Sequence, residues 1–350
     1  MEQPRKRAGD PVLIPFQSLT KDDLAELLQP IGRKYQAKQI FKWVYQRFVN
    51  DWDEMTDLSK VLRSWLKTNV EIHRLQANAV TEAADGTKKI LWKLHDGETV
   101  ESVLIPVSRG SSNRLTACIS SQVGCAMACK FCLTGTQGFK RHLEAHEIVS
   151  QAFELRRLAP VTNIVFMGMG EPLHNLANVI KSCMILLDGD GMAFSKRRVT
   201  ISTSGLVTAL EELGRNTDVS LAVSLNATTD EQRSSIMPVN KKWNIASLIQ
   251  ACKSYPLGNH RRITFEYVLI EGFNDSIDDA KRLAKLLKPI PSKINLIPFN
   301  EFSGSKLKRP SDESVRLFQK YLLDKGFTAT VRNSRGSEIL AACGQLRSAM

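Results

Sequence analysis

The sequence predicts an α/β protein: a partial (βα)6 barrel preceded by a small N-terminal helical domain and a β-hairpin extension. Six short β-rich runs, TACIS (116–120), NIVFM (163–167), VTIST (199–203), VSLAVSL (219–225), ITFEYVLI (263–270) and INLIPF (294–299), alternate with helical stretches such as 144–158, 175–187, 276–288 and 311–325. That alternation calls for a parallel sheet, because parallel neighbours need a crossover between them. The chemistry-bearing residues fall at strand ends. A cysteine triplet follows the first run, GMGEP (168–172) the second, and Ser202-Thr203-Ser204-Gly205 the third. Ser224-Leu225-Asn226 ends the fourth run and Pro298-Phe299-Asn300 the sixth. The C-terminal strand ends of a βα barrel form one rim, and that rim carries the active site.

The elements before the barrel read as follows. Residues 1 to about 15 form a basic tail. Thr20 followed by Asp23 is a capping-box start for the helix KDDLAELL. Ile40, Phe41, Val44, Tyr45 and Phe48 recur at helical spacing, as do Leu58, Val61, Leu62, Trp65 and Leu66. A hairpin follows, ILWKL and TVESVLI flanking the turn residues Asp96-Gly97. The boundaries expected are 1–75 for the tail and helical domain, 76–115 for the hairpin extension and 116–350 for the barrel with its C-terminal segment.

The chain of 350 residues is 43% hydrophobic, enough for a large core. Lys and Arg number 48 against 36 Asp and Glu, a formal charge of +12. A basic balance fits a polyanionic partner, since neutralised phosphates release counterions, although a merely basic enzyme shares it. No apolar run reaches the ~18 residues of a membrane helix, and Met1 to Asp10 lacks the apolar centre of a signal peptide. A cytoplasmic protein without a membrane partner is expected, with its thiols reduced.

Of 7 cysteines, Cys125, Cys129 and Cys132 crowd into GCAMACKFC, spaced C-x3-C-x2-C. Three thiolates on one loop suit three irons of a 4Fe-4S cube and leave the fourth iron open to a ligand such as S-adenosylmethionine. The spacing also admits a zinc site one ligand short, or an electron carrier with a remote fourth cysteine. Gly168, Gly170 and Glu171 sit where glycines let a ligand approach the backbone, with Glu171 suited to an ammonium group. Ser202, Asn226 and Asn300 offer neutral hydrogen-bonding groups. Cys183 and Cys252 lie in helical patterns and read as core.

With SSQVGCAMACKFC, FMGMGEPL, RRVTISTSG, IPFN and ACGQL in that order, the chain resembles the RlmN/Cfr family of radical S-adenosylmethionine RNA methyltransferases, from about residue 30 to the end. The overall character is most like RlmN. The resemblance implies the radical-SAM partial barrel, a 4Fe-4S cluster and S-adenosylmethionine. It implies methylation of adenosine 2503 in 23S rRNA at C2, with tRNA adenosine 37 as a further substrate, or at C8 in Cfr-type members. It also implies an external flavodoxin- or ferredoxin-like electron donor. Carried over by motif, Cys125, Cys129 and Cys132 hold the cluster. Gly170, Glu171, Ser202, Ser224, Leu225, Asn226 and Asn300 bind S-adenosylmethionine. Cys343 becomes S-methylated, Cys118 resolves the protein–RNA adduct through a transient disulfide, and Glu101 or Cys118 takes the ring proton. Asn226 departs from the family, where His is common. Lys130, Lys140, Arg141, Lys196, Arg197, Arg198, Arg332 and Arg335 flank the rim loops as candidate phosphate contacts. A reading from another class, a metal-stabilised RNA-binding module without catalysis, would share the charge but not the open three-cysteine spacing.

Overall fold

The computed structural model describes residues 13–109, 112–332 and 334–348. The basic tail lies outside the described residues up to residue 12, and its last part is structured: β1 (Ile14–Pro15) pairs in parallel with β2 (Val70–Glu71). Between them run α1 (Lys21–Leu27), α2 (Tyr35–Arg47) and α3 (Lys60–Asn69). α1 starts on the capping box read from sequence: Thr20 Oγ1 accepts the Asp23 N–H, and the Asp23 carboxylate accepts the Thr20 N–H. Two helix-start donors are thereby satisfied. α2 buries Ala37, Ile40, Phe41, Val44 and Tyr45, and stops where Phe48 turns left-handed. In the third helical pattern Leu62 and Leu66 are buried with Leu58 just ahead of the helix, whereas Val61 is 77% exposed.

The hairpin extension is larger than a hairpin. β3 (Gln76–Glu82), β4 (Lys88–Lys93), β5 (Thr99–Arg109) and β6 (Ser112–Cys118) form an antiparallel meander, with the Asp96-Gly97 turn between β4 and β5 as expected. Every residue of β3 is exposed, so QANAVTE had no apolar face to announce it. A small hairpin follows, β7 (Gln122–Gly124) and β8 (Phe139–His142), enclosing the short α4 (Leu133–Thr136).

The alternation then runs α5 (Ala145–Leu158), β9 (Asn163–Phe166), α6 (Leu176–Leu187), β10 (Val199–Thr203), α7 (Val207–Asn216) and β11 (Ser220–Ser224). It continues through α8 (Asp230–Ile236), α9 (Ile245–Ser254), β12 (Ile263–Leu269), α10 (Ile277–Leu287), β13 (Ser292–Pro298), α11 (Asp312–Asp324) and β14 (Ala329–Val331). One sheet has the order β14-β13-β12-β11-β10-β9-β6-β5-β4-β3. Neighbours from β6 to β14 are parallel, and those from β6 to β3 antiparallel. β14 is a parallel strand beyond the six read from sequence, and the antiparallel meander continues the same sheet. Among the described residues no helix is long and apolar enough to cross a membrane.

α5 joins the N-terminal helices to the sheet. It is buried from Ala145 to Leu155. Phe153 meets Tyr45 edge-on at 6.0 Å and Phe48 at 5.7 Å, and Phe16 continues the stack to Tyr45 at 5.4 Å. Arg74 pairs with Glu154 alongside. Truncating an aromatic ring at such a junction removes its transfer energy and leaves a cavity. Phe153→Ala should cost about 3–5 kcal/mol in a denaturant titration; a loss below 1 kcal/mol would mean that the helices contribute nothing through this contact.

Candidate active site

The cysteine loop is compressed by glycines on both flanks. A Cβ on Gly124, at φ +72, would fall 2.0 Å from the Gly138 carbonyl oxygen, and one on Gly135 would fall 2.8 Å from the Cys129 oxygen. The Cys125 N–H donates to Gly138 O (2.8 Å), Cys132 N–H to Cys129 O (3.1 Å) and Lys130 N–H to Ile236 O at the end of α8 (3.0 Å). Cys125, Cys129 and Cys132 line a common cavity. Burial pushes Cys125 up to about 12, Cys129 well above its ordinary value, and Cys132 up as well. All three are therefore thiols until a metal draws off their protons. Among the described residues no three His, Cys, Asp or Glu side chains could hold a single metal ion. A cube, which presents a separate iron to each thiolate, needs no such convergence.

The GMGEP loop lies against this one. A Cβ on Gly170, at φ +99, would fall 2.5 Å from Gln122 Cβ, and one on Gly168 would fall 2.7 Å from Ile119 O. Gln122 Oε1 accepts the Glu171 N–H at 2.8 Å. Glu171 is buried, its carboxylate accepting the Leu173 N–H (3.0 Å) and the Ser204 N–H (2.7 Å). Burial raises its pKa against those two donors. Ser204 lines the same cavity wall.

Gly170, Glu171, Ser202, Ser224, Asn226 and Asn300 all line the cavity. Leu225 does not: its side chain is fully buried, and its backbone joins Glu266 O and Arg233 instead. Asn226 takes a left-handed φ of 59, tolerated by Asn better than by most residues. Its Oδ1 accepts the Val268 N–H at 2.9 Å. Glu266, missed in the sequence, also lines the cavity, accepts from Ser202 Oγ at 3.1 Å and is buried. An acid inside the apolar run ITFEYVLI was the available signal.

Cys343 reaches this cavity from the far end of the chain. Leu133 N–H donates to Gly344 O (2.6 Å), Thr134 Oγ1 to Leu346 O (2.5 Å), and Gln137 makes two bonds to the Ser348 backbone. These stitch the C-terminal segment to α4, while Asn300 Nδ2 donates to Cys343 O (3.1 Å). Cys343 also lines a second, smaller cavity with Cys118 and Arg332. Both cysteines are free thiols. Burial pushes Cys118 up to about 12; burial raises Cys343 too, against the pull of Arg332. Glu101 lines neither cavity. Its carboxylate holds Lys89 Nζ at 3.0 Å and the Arg347 N–H at 2.9 Å.

The basic residues divide. Lys140, Arg141, Lys196 and Arg335 pair with Glu98, Asp96 and Glu147, Asp218 and Asp85. Arg332 is half-buried beside Cys343 and Met167, a wall residue and not a surface phosphate contact. Lys130, Arg197 and Arg198 are exposed.

A parallel sheet with an open three-cysteine loop and a glycine-bounded acidic loop at its strand ends defines a radical S-adenosylmethionine protein. Residues 119–287 match the radical SAM superfamily, and residues 15–72 match the ribosomal RNA large subunit methyltransferase N-terminal domain. The dual-specificity RNA methyltransferase RlmN of Geobacter sulfurreducens is 54% identical over 96% of this chain and 92% of its own. The protein of that name from Geotalea uraniireducens is 53% identical over 95% and 96%. The crystal structure of a radical SAM methyltransferase from Sphaerobacter thermophilus superposes with a TM-score of 0.88 at 43% identity, covering 95% of this chain and 99% of that one. The chain belongs to the RlmN family. Its cofactors are accordingly a 4Fe-4S cluster and S-adenosylmethionine, and the site fits them: three thiols on one cavity wall for iron, two of them buried, and the buried Glu171 for an ammonium.

Gly170→Ala places a methyl on Gln122 at a left-handed φ, a strain of about 1–3 kcal/mol. The variant should keep its iron and bind S-adenosylmethionine roughly ten- to a hundredfold more weakly. Unchanged affinity in equilibrium dialysis would show that this loop does not shape the cofactor site.

Proposed function

We propose that this protein is a radical S-adenosylmethionine RNA methyltransferase that transfers a methyl group to C2 of adenine through S-methylated Cys343. Its substrates on this reading are adenosine 2503 of 23S rRNA and adenosine 37 of tRNA. The dual specificity in the relatives' names supports two RNA classes. The observation that carries the reading is the position of Cys343, which borders both the cavity of the three cysteines and the smaller cavity of Cys118.

When bound, the cluster and S-adenosylmethionine would supply a carbon-centred radical in this cavity. The rest is the work of the chain. Cys125, Cys129 and Cys132 are the cluster ligands on this reading; Gly170, Glu171, Ser202, Ser224, Asn226 and Asn300 line the cofactor's berth. Leu225 contributes through its backbone alone. Asn300 and α4 hold the Cys343 segment at the cavity wall, so the methyl is carried on a positioned side chain. Such a carrier suits an unreactive ring carbon, which a sulfonium does not methylate directly. Cys118, at the end of β6, the last strand of the meander, is the partner that releases product: its sulfur bonds transiently to that of Cys343 as the Cys343 S–C bond to the base breaks, the electron pair leaving with the carbon, which takes up a proton. Glu101, held by Lys89 and the Arg347 N–H and lining neither cavity, and Cys118, which borders the smaller cavity with Cys343, are the two candidates for the ring proton. Lys130, Arg197 and Arg198 are the exposed cations left for phosphate, and a flavodoxin- or ferredoxin-like protein supplies the electron. Residues 1–75, 76–115 and 116–350 are the functional units on this reading, with residues 13–75 reaching the barrel through α5.

Mass spectrometry of nucleosides from incubated 23S rRNA and tRNA should show 2-methyladenosine; 8-methyladenosine would move the protein to the Cfr type, and no methylated adenosine would sink the proposal. Cys343→Ala should keep its cluster and make no methylated RNA. Cys118→Ala should trap a covalent protein–RNA species on a denaturing gel, and the double variant should lose it. A persistent crosslink in the double variant would refute the methyl-cysteine route.

A further inference from the structure

Arg233 is the largest of the fully buried side chains, with no exposed surface. Its hydrogen-bond acceptors are neutral: Leu225 O accepts from Nε at 3.0 Å, and Asn240 Oδ1 accepts from Nη1 at 3.0 Å. Ser204 O and Ser224 O accept from Nη2 at 2.6 Å and 3.2 Å. Among the described residues it joins no ion pair. Asp230, one turn earlier on α8, gives its carboxylate to Asn240 and the Ile245 N–H. Glu171 lies on the other side of the Ser204 residue, bonded to the N–H of the residue whose carbonyl Arg233 takes. Desolvating a cation costs several kcal/mol unless an opposite charge compensates it, and four carbonyl dipoles meet only part of that.

Asp230 acts on Arg233 only across space, its carboxylate being bonded elsewhere, and the position of Arg233 points to a further anion. Two of its acceptors, Ser204 and Ser224, line the cavity of the three cysteines, as does Met237 just after α8. The end of α8 touches the cysteine loop itself, Ile236 O accepting the Lys130 N–H. A cube ligated by three thiolates is net anionic, and one added electron makes it more so.

We infer that Arg233 is the buried counter-cation of the cluster, a positioning residue whose charge favours the reduced state while its hydrogen bonds brace the strand ends around the cofactor. The inference rests on the cluster reading above. The potential of an iron–sulfur centre follows local charge and burial, and a fixed charge in a low-dielectric wall is felt strongly. Nothing local in DEQRSSI marks its arginine as buried.

The test is an EPR-monitored redox titration of the anaerobically loaded protein and two variants. Arg233→Gln should keep its iron but shift the reduced-to-oxidised ratio at the parent's midpoint about tenfold toward oxidised, roughly 59 mV for a one-electron couple. Arg233→Lys keeps the charge and loses the fork of hydrogen bonds. It should bind S-adenosylmethionine more weakly with a midpoint within twofold of the parent's ratio. An unchanged midpoint in loaded Arg233→Gln, or equal shifts in the Gln and Lys variants, would overturn the inference and leave Arg233 a structural clamp. Iron-free protein decides the case in which Arg233→Gln will not load. A counter-cation is dispensable without its anion, so iron-free Arg233→Gln should be at least as heat-stable as the iron-free parent. Iron-free Arg233→Gln that melts well below that parent, or fails to accumulate at all, counts against the charge role. A parent chain that takes up no iron would remove the cluster reading itself, before any variant is compared.

Discussion

The mouth of this barrel depends on how closely the loop after β6 approaches the loop after β9. Gln122 is the contact. Its Oε1 takes the Glu171 N–H, and its Nε2 reaches the Nδ1 atoms of His142 and His174 at 3.0 and 3.1 Å. Only a residue without Cβ fits opposite it, which is why position 170 is glycine. Because one amide nitrogen donates to both imidazoles, each ring accepts at Nδ1, and burial lowers the pKa of His142, favouring the neutral ring. One side chain thus fixes the acidic loop against the cysteine loop, and so fixes where an ammonium held by Glu171 would stand relative to the three thiols.

The charges around that contact are arranged by a single residue. Ser204 donates its N–H to Glu171 and gives its carbonyl to Arg233. A buried carboxylate and a buried guanidinium are thus kept on opposite sides of one residue and never neutralise each other directly. In a closed core that arrangement would be costly twice over, once for each ion. Here Glu171 lines the cavity and Arg233 stands behind its wall, so on the proposed reading each charge is left to act on a ligand of opposite sign, a cationic cofactor and an anionic cluster. Direct pairing would leave neither ion for a ligand to meet.

How much of this was legible in the sequence depended on whether a residue acts through its identity or its environment. The Cys125–Cys132 spacing, GMGEP and the six strand runs are local patterns, and the ends of the six strands fall within four residues of the positions read. The capping box at Thr20 was legible for the same reason. β3 was invisible because it has no buried face, and β14 because three residues carry no period. Leu225 was a candidate from its motif, but a motif cannot say which member of Ser-Leu-Asn turns its side chain into the core. Arg332, read as one of eight surface cations, borders the small cavity with Cys118 and Cys343; side-chain burial there is set by a segment far along the chain. Arg233 depends on a burial that no local pattern announces, whereas Glu266 had its signal in the acid that interrupts ITFEYVLI.

Asn226 shows how the two kinds of information meet. Its left-handed backbone restricts the position to residues that tolerate that conformation, and Asn, Asp and His are the enriched ones outside glycine. That constraint alone makes the exchange with the His common in the family an easy one. The amide then adds something of its own: Oδ1 accepts the Val268 N–H on β12 while the backbone carbonyl takes Asn274 Nδ2 at 2.8 Å. The side chain ties the end of β11 to its neighbour while still lining the cavity. The departure from the family pattern therefore preserves the backbone that shapes the site, and changes the one polar group that projects into it.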